Sequence, residues 1–183
     1  MKRVAVFCGA SPGTDAAMMP RARRFGESLA RRGFGLVYGG ASVGLMGAVA
    51  DGALEAKGEV IGVLPHTLAG REIGHQGLAE LLVVSSMHER KAAMASRADA
   101  FVALPGGFGT LDEVFEALTW AQLGIHGKPC ALLSWGDFYA PLVTFLDHAV
   151  SAGFIRAQHR AALWVEKDDD ALLDRLTKTF EAS

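Results

Sequence analysis

Two short runs contain the residue types needed to bind an anion and work on it with a carboxylate. The first is Pro105-Gly106-Gly107-Phe108-Gly109-Thr110-Leu111-Asp112-Glu113, three glycines leading into a helix that the spacing carries to about Gln122. Glycines there let a ligand approach the backbone closely. The unpaired N–H groups of a helix start, with the positive end of its dipole, form a phosphate site. Thr110 reads as the N-cap. Glu113 then has two readings: the far half of a capping box, worth about 1 kcal/mol, or a carboxylate held beside the bound anion. Both remain open on the residues alone, although a capping box does not account for the glycines.

The second run is Ser86-Met87-His88-Glu89-Arg90-Lys91, another capping-box pattern followed at once by two cations. The macrodipole disfavours each cation in a first turn by a few tenths of a kcal/mol. Either a carboxylate partner, Glu89 or one in a loop, relieves this, or an anion lies in front of the helix. With an anion turn expected one strand away, phosphate is the favoured partner. Glycines also cluster in Cys8-Gly9-Ala10-Ser11-Pro12-Gly13 and in Tyr38-Gly39-Gly40-Ala41-Ser42-Val43-Gly44-Leu45-Met46-Gly47. Neither run is the dinucleotide fingerprint or a Walker loop, which disfavours NAD enzymes and ATP motors. The six histidines lack zinc-ligand spacing, so no metal or other cofactor is expected.

Placing these runs side by side requires a sheet. Apolar runs recur at Val4 to Cys8, Gly35 to Tyr38, Val60 to Leu64, Leu81 to Val84, Phe101 to Leu104, Cys130 to Ser134 and Ala162 to Val165. Stretches of helical spacing separate most of them, such as Met18, Ala22, Phe25 and Leu29. Nearly all-apolar strands alternating with helices predict an α/β, three-layer fold, with a mostly parallel sheet of about seven strands and helices on both faces. The polar connection from Pro65 to Glu80 is expected to carry a short helix or a lip over the site. Every glycine run falls at a strand exit, where such sheets bind ligands.

At 183 residues with no linker or repeat, residues 1–183 read as one domain. A net charge of −2 gives no electrostatic case for nucleic acid or an anionic membrane surface. The arginines of the first helix, Arg21, Arg23, Arg24, Arg31 and Arg32, read as a solvated face. Asp168 to Asp170 reads as an acidic start to the last helix. The two cysteines, Cys8 and Cys130, lie inside apolar runs and read as buried thiols, and with no membrane-spanning stretch a cytoplasmic location is expected.

Met87 to Lys91 and Pro105 to Glu113 together resemble the Lonely Guy (LOG) family of cytokinin riboside 5′-monophosphate phosphoribohydrolases, often mislabelled lysine decarboxylases. The similarity continues through CGASPG, YGGASVGLMG and TWAQLGIHGKP at Thr119 to Pro129. It implies a Rossmann-like fold and hydrolysis of adenosine-type 5′-monophosphates, AMP among them, to free base and ribose 5-phosphate. It further implies a homodimer with active sites near the interface. By position, Arg90 and Glu113 become the catalytic pair, and Gly106, Gly107, Gly109 and Thr110 hold the phosphate. Met87, Lys91, Glu72 and Thr119 fall at substrate-contacting positions. Ala10 and Ala41 depart from the Ser and Gly of many relatives. N-glycoside cleavage passes through an oxocarbenium-like state that a carboxylate near the ribose can stabilise, the role given to Glu113. Arg90 would hold the phosphate or assist the leaving base. Two other readings stand beside this one: a non-catalytic carrier of a nucleotide or nucleotide cofactor, and a decarboxylase with Lys91 as its pyridoxal phosphate lysine.

Overall fold

The computed structural model describes residues 1–66, 75 and 77–182. Its centre is a sheet of seven strands: β1 (Arg3–Phe7), β2 (Gly35–Tyr38), β3 (Val60–Pro65), β4 (Glu80–Val84), β5 (Ala100–Ala103), β6 (Cys130–Leu133) and β7 (Leu163–Glu166). Their order is β4-β3-β2-β1-β5-β6-β7, and every pairing is parallel. The sequence expectation of a mostly parallel sheet is met in full. Strand limits differ from the apolar runs by a residue or so, because a run such as Val4 to Cys8 continues past the last ladder pair, Phe7 with Ala103.

The helices are α1 (Met18–Arg31), α2 (Gly44–Glu55), α3 (Met87–Arg97), α4 (Phe108–Gln122), α5 (Ala140–Ser151), the short α6 (Ala157–Ala161) and α7 (Asp169–Glu181). Alternation along each strand sorts them into layers. Val4, Val6, Leu36, Ala100, Val102 and Leu133 pack against α1, α2 and α7. Ala5, Phe7, Val37, Phe101, Ala103 and Leu132 pack against α3, α4 and α5 on the other face. This period of two places hydrophobic side chains alternately on both sides of a sheet covered on both faces except along its edge strand β4, where Leu81 and Val83 stay exposed.

Strand order reverses between β1 and β5, so their exits diverge and leave a crevice at the carboxyl edge. Backbone bonds tie its rim: Gly9 N–H donates to the Pro105 carbonyl (3.1 Å), and Leu45 N–H donates to the Gly9 carbonyl (3.0 Å). The arginines of α1 are more than a solvated face. Arg23 pairs with Asp51 and Glu55 of α2, Arg32 with Asp170 and Asp174 of α7, and Arg21 with Asp169 while lying over the Trp135 ring. The acidic start of α7 is as expected, Asp168 accepting from Ala171 N–H at 2.9 Å.

Candidate active site

Arg90 stands in the first turn of α3, one turn ahead of Met94, and the stripe that buries Met94 also turns Arg90 inward. Its buried guanidinium is divided among three elements. Nε donates to the Val63 carbonyl of β3 (3.0 Å), Nη2 donates to the Gly39 carbonyl after β2 (3.2 Å), and Nη1 lies 3.6 Å from Glu113 Oε1. Gly39 is small by necessity. A Cβ there would sit 2.1 Å from Arg90 Nη2 and 2.7 Å from Met46 Sδ.

Glu113 comes from the buried stripe of α4, with Thr110, Val114 and Ala117. Burial pushes its carboxyl up to about 7, against the opposing pull of the Arg90 charge. The capping-box reading is overturned. The N-cap is Gly107, and the first helical bond runs from Leu111 N–H to the Gly107 carbonyl at 3.1 Å. Thr110 is therefore the third helical residue and Glu113 lies a turn deeper, out of reach of the helix start. Gly109 looks pre-helical in sequence, yet a first turn makes no intrahelical N–H bonds and tolerates it. Thr110 is buried instead against Gly106, whose absent Cβ would lie 2.1 Å from Thr110 Oγ1.

The first-turn cations also find partners different from those expected. Lys91 Nζ bridges Asp112 (3.0 Å) and Glu116 (2.9 Å) on α4. Burial works against its charge, but the hydrogen bonds to Glu116 and Asp112 outweigh it and hold the ammonium above its usual range. Two carbonyls and a carboxylate serve Arg90. The cations thus do not require an anion in front of α3, and the phosphate argument rests on the α4 turn alone. Glu89 does complete its cap, accepting from Ser85 N–H (2.8 Å) while Ser86 Oγ accepts from Glu89 N–H (3.1 Å).

Two adjoining cavities open at the crevice and share Gly9, Ser11 and Gly107. One, of about 310 Å³, is walled by Cys8, Met46, Arg90, Gly109, Thr110 and Glu113. The other, of about 390 Å³, is walled by Pro12 to Asp15, Met18, Leu45, Gly106 and Phe138 and holds no cation. The three glycines, Thr110, Arg90 and Glu113 are thus together. Met87 is close but exposed, its sulfur 4.0 Å from Arg90 Nη1. Thr119 is apart, exposed on another face of α4 and donating to the Phe115 carbonyl of its own helix at 2.7 Å. Glu72, and most of the connection expected to form a lip, lie outside the described residues.

Sequence reading missed Cys8 and Met46 as cavity walls and Gly39 as the seat of Arg90. Only the glycine pair after Tyr38 hinted at the last. The Cys8 thiol, taken as a buried hydrophobe, is buried, and burial together with the nearby Glu113 raises its pKa.

Residues 46–176 match the family model described as "Possible lysine decarboxylase". The chain is 49% identical over 168 residues to the cytokinin riboside 5′-monophosphate phosphoribohydrolase of Rhodococcoides fascians, covering 91% of this chain and 85% of that protein. It is 50% identical over 159 residues to the enzyme LOG of Oryza sativa subsp. japonica, covering 87% of this chain and 66% of that one. This chain belongs to the LOG family. Among solved structures, the Moco carrier protein of Chlamydomonas reinhardtii superposes with a TM-score of 0.75 at 25% identity, covering 100% and 99% of the two chains. The molybdenum cofactor binding protein of Rippkaea orientalis gives 0.74 at 22%, covering 98% of each. These last likenesses concern the fold, which LOG proteins share with cofactor carriers, and fold alone does not assign an activity. Nor does the decarboxylase description suit Lys91 of this LOG protein. A Schiff base needs a free amine, and two carboxylates keep Lys91 protonated.

Proposed function

We propose that this protein hydrolyses the N-glycosidic bond of adenosine-type 5′-monophosphates, cytokinin riboside monophosphates and AMP among them, releasing the base and ribose 5-phosphate. The observation that carries it is the buried Arg90–Glu113 pair, 3.6 Å apart, in a cavity also walled by the glycine start of α4. The identity to named phosphoribohydrolases supports it.

The 5′-phosphate docks on the N–H groups of Gly107, Gly109 and Thr110, at the positive end of the α4 dipole. The ribose then lies over Glu113. As the glycosidic bond lengthens, positive charge grows on the ribose. The Glu113 carboxylate stabilises that charge and directs a water molecule to the anomeric carbon. It acts in its ionised form, from a buried position where such stabilisation is strong. Arg90 keeps the carboxylate in place and ionisable. Two of its donors are committed to Gly39 and Val63, so it works mainly on Glu113 rather than as a phosphate clamp.

Thr119, exposed and apart from the cavity, contacts substrate only if a second copy brings it there, so the functional unit we propose is a homodimer. A cytoplasmic location belongs to the same reading, supported by two buried free thiols. Among the described residues no helix is long and apolar enough to cross a membrane.

Incubation with AMP and with its N6-isopentenyl analogue, followed by chromatography, is expected to release free base from both. Nucleotide binding without release would favour the carrier reading instead. Glu113→Gln is expected to abolish turnover while nucleotide still binds, and full activity in that variant would remove Glu113 from catalysis.

A further inference from the structure

We propose that Tyr139 is a positioning residue for the phosphate turn and acts through the carbonyl of Leu104. Tyr139 lies far along the chain from the glycine run and outside both cavities, yet its buried hydroxyl donates to the Leu104 carbonyl at 2.6 Å. That carbonyl belongs to the Leu104–Pro105 peptide, so the bond fixes the plane from which the turn departs. The proline ring then fixes φ at Pro105. The next peptide plane is held as well, because the Pro105 carbonyl accepts from Gly9 N–H at 3.1 Å. Two consecutive planes are therefore set by bonds from two other elements, one from beyond β6 and one from the exit of β1. Gly106 follows, packed on the Thr110 side chain. The approach to Gly107, Gly109 and Thr110, the N–H groups assigned to the phosphate, is thereby held from two sides.

Tyr139 is itself held in place. Its N–H donates to Ser134 Oγ at 2.9 Å, with Ser134 buried at the end of β6, and its ring meets Phe138 edge-on. A buried ring of this size could serve packing alone. The hydroxyl is the part that packing does not need, and it is aimed at the one carbonyl that enters the turn.

This assignment rests on the proposed hydrolysis, and Tyr139→Phe tests it, since that variant keeps the ring and deletes the bond. Affinity for ribose 5-phosphate is read by calorimetry, and KM and kcat are read with AMP. The expected result is that Kd and KM each rise by about fivefold, the equivalent of one net hydrogen bond, with kcat within about twofold. Ser134→Ala is expected to move both in the same direction by less, and it carries the test if Tyr139→Phe does not fold. A lower melting temperature with unchanged Kd and KM would reduce Tyr139 to a packing residue, and a fall in kcat alone would place its effect on the chemistry; either overturns the proposal. Wild-type protein that binds ribose 5-phosphate but releases no base would remove the hydrolysis and leave the Tyr139 test standing.

Discussion

Glu113 is placed where the catalytic role proposed for it and its cost to folding have opposite dependence on pH. In the folded chain its carboxyl ionises near 7 rather than 4.5, mainly because it is buried. Between those values folding takes up a proton, so stability falls as pH rises through the window and levels off above the folded value. The shift corresponds to roughly 3 kcal/mol at most. Urea unfolding of the wild-type protein is therefore expected to weaken between pH 5 and pH 8 relative to Glu113→Gln, which has nothing to titrate there. A constant difference would mean that the carboxyl ionises in its ordinary range. Activity runs the other way if the ionised form works as proposed: kcat/KM with AMP is expected to rise through an apparent pKa near 7. A fall above that pH would make Glu113 a proton donor. Gly39 tunes the same group from a distance, because an added Cβ must displace Arg90 Nη2. Gly39→Ala is expected to move the acid limb upward by about one pH unit and cut activity at neutral pH about fivefold. An unmoved limb would show that Arg90 does not govern Glu113.

Helix starts decide how this site is built, and they were harder to read than the elements they begin. The strands were visible because each is a short apolar run, and their alternation fixed the layers once both faces were known to be covered. The glycine turn is legible as a strand exit, whereas Arg90 and Glu113 are paired in advance only by the resemblance to the LOG family. Residue types alone did not give the phase of α4. Thr-x-x-Glu fits a capping box as well as it fits a buried stripe, and the start of the helix at Gly107, with Thr110 packed on Gly106, separates the two. The partners of Lys91 come from a helix about twenty residues on and depend on that same phase. Tertiary contact likewise explains glycines that read as ordinary helical residues. A Cβ at Gly26 of α1 would meet the Val49 carbonyl at 2.0 Å, and one at Gly52 of α2 would meet the Arg23 carbonyl at 1.9 Å. The two helices touch backbone to backbone there. Gly52→Ala is expected to lose about 2–3 kcal/mol of stability by overpacking, despite alanine's better helix propensity. A neutral or stabilising result in chemical denaturation would mean that the helices can part freely. Because α2 starts from the crevice rim, base release is expected to fall with stability in that variant.

Among the described residues, large apolar side chains stay exposed along α4, beginning at its glycine turn. Phe108, 93% exposed, projects from the phosphate turn itself, and Phe115, 37% exposed, follows it two turns along α4. Thr119 and Gln122 continue the same stripe. Beside it lies a groove shared with α5 and α6, and Phe145 and Phe154, which precede the groove residues Leu146 and Ile155 in the chain, are 61% and 89% exposed. Exposed aromatic residues along α4 suit the homodimer proposed above. A two-fold pairing of α4 with itself, antiparallel about Phe115, would set Thr119 of the partner subunit opposite Leu111, next to the glycine turn. This is how a threonine remote from the cavity in one chain would reach a substrate bound in the other. Phe115→Asp is expected to give a monomer by sedimentation and to lower kcat/KM by at least about tenfold, as loss of a positioned substrate contact would. Thr119→Ala is expected to keep the dimer mass and still lower kcat/KM. A Phe115→Asp variant that remains a dimer would move the interface to another face, and a fully active monomer would show that one chain contains a complete site.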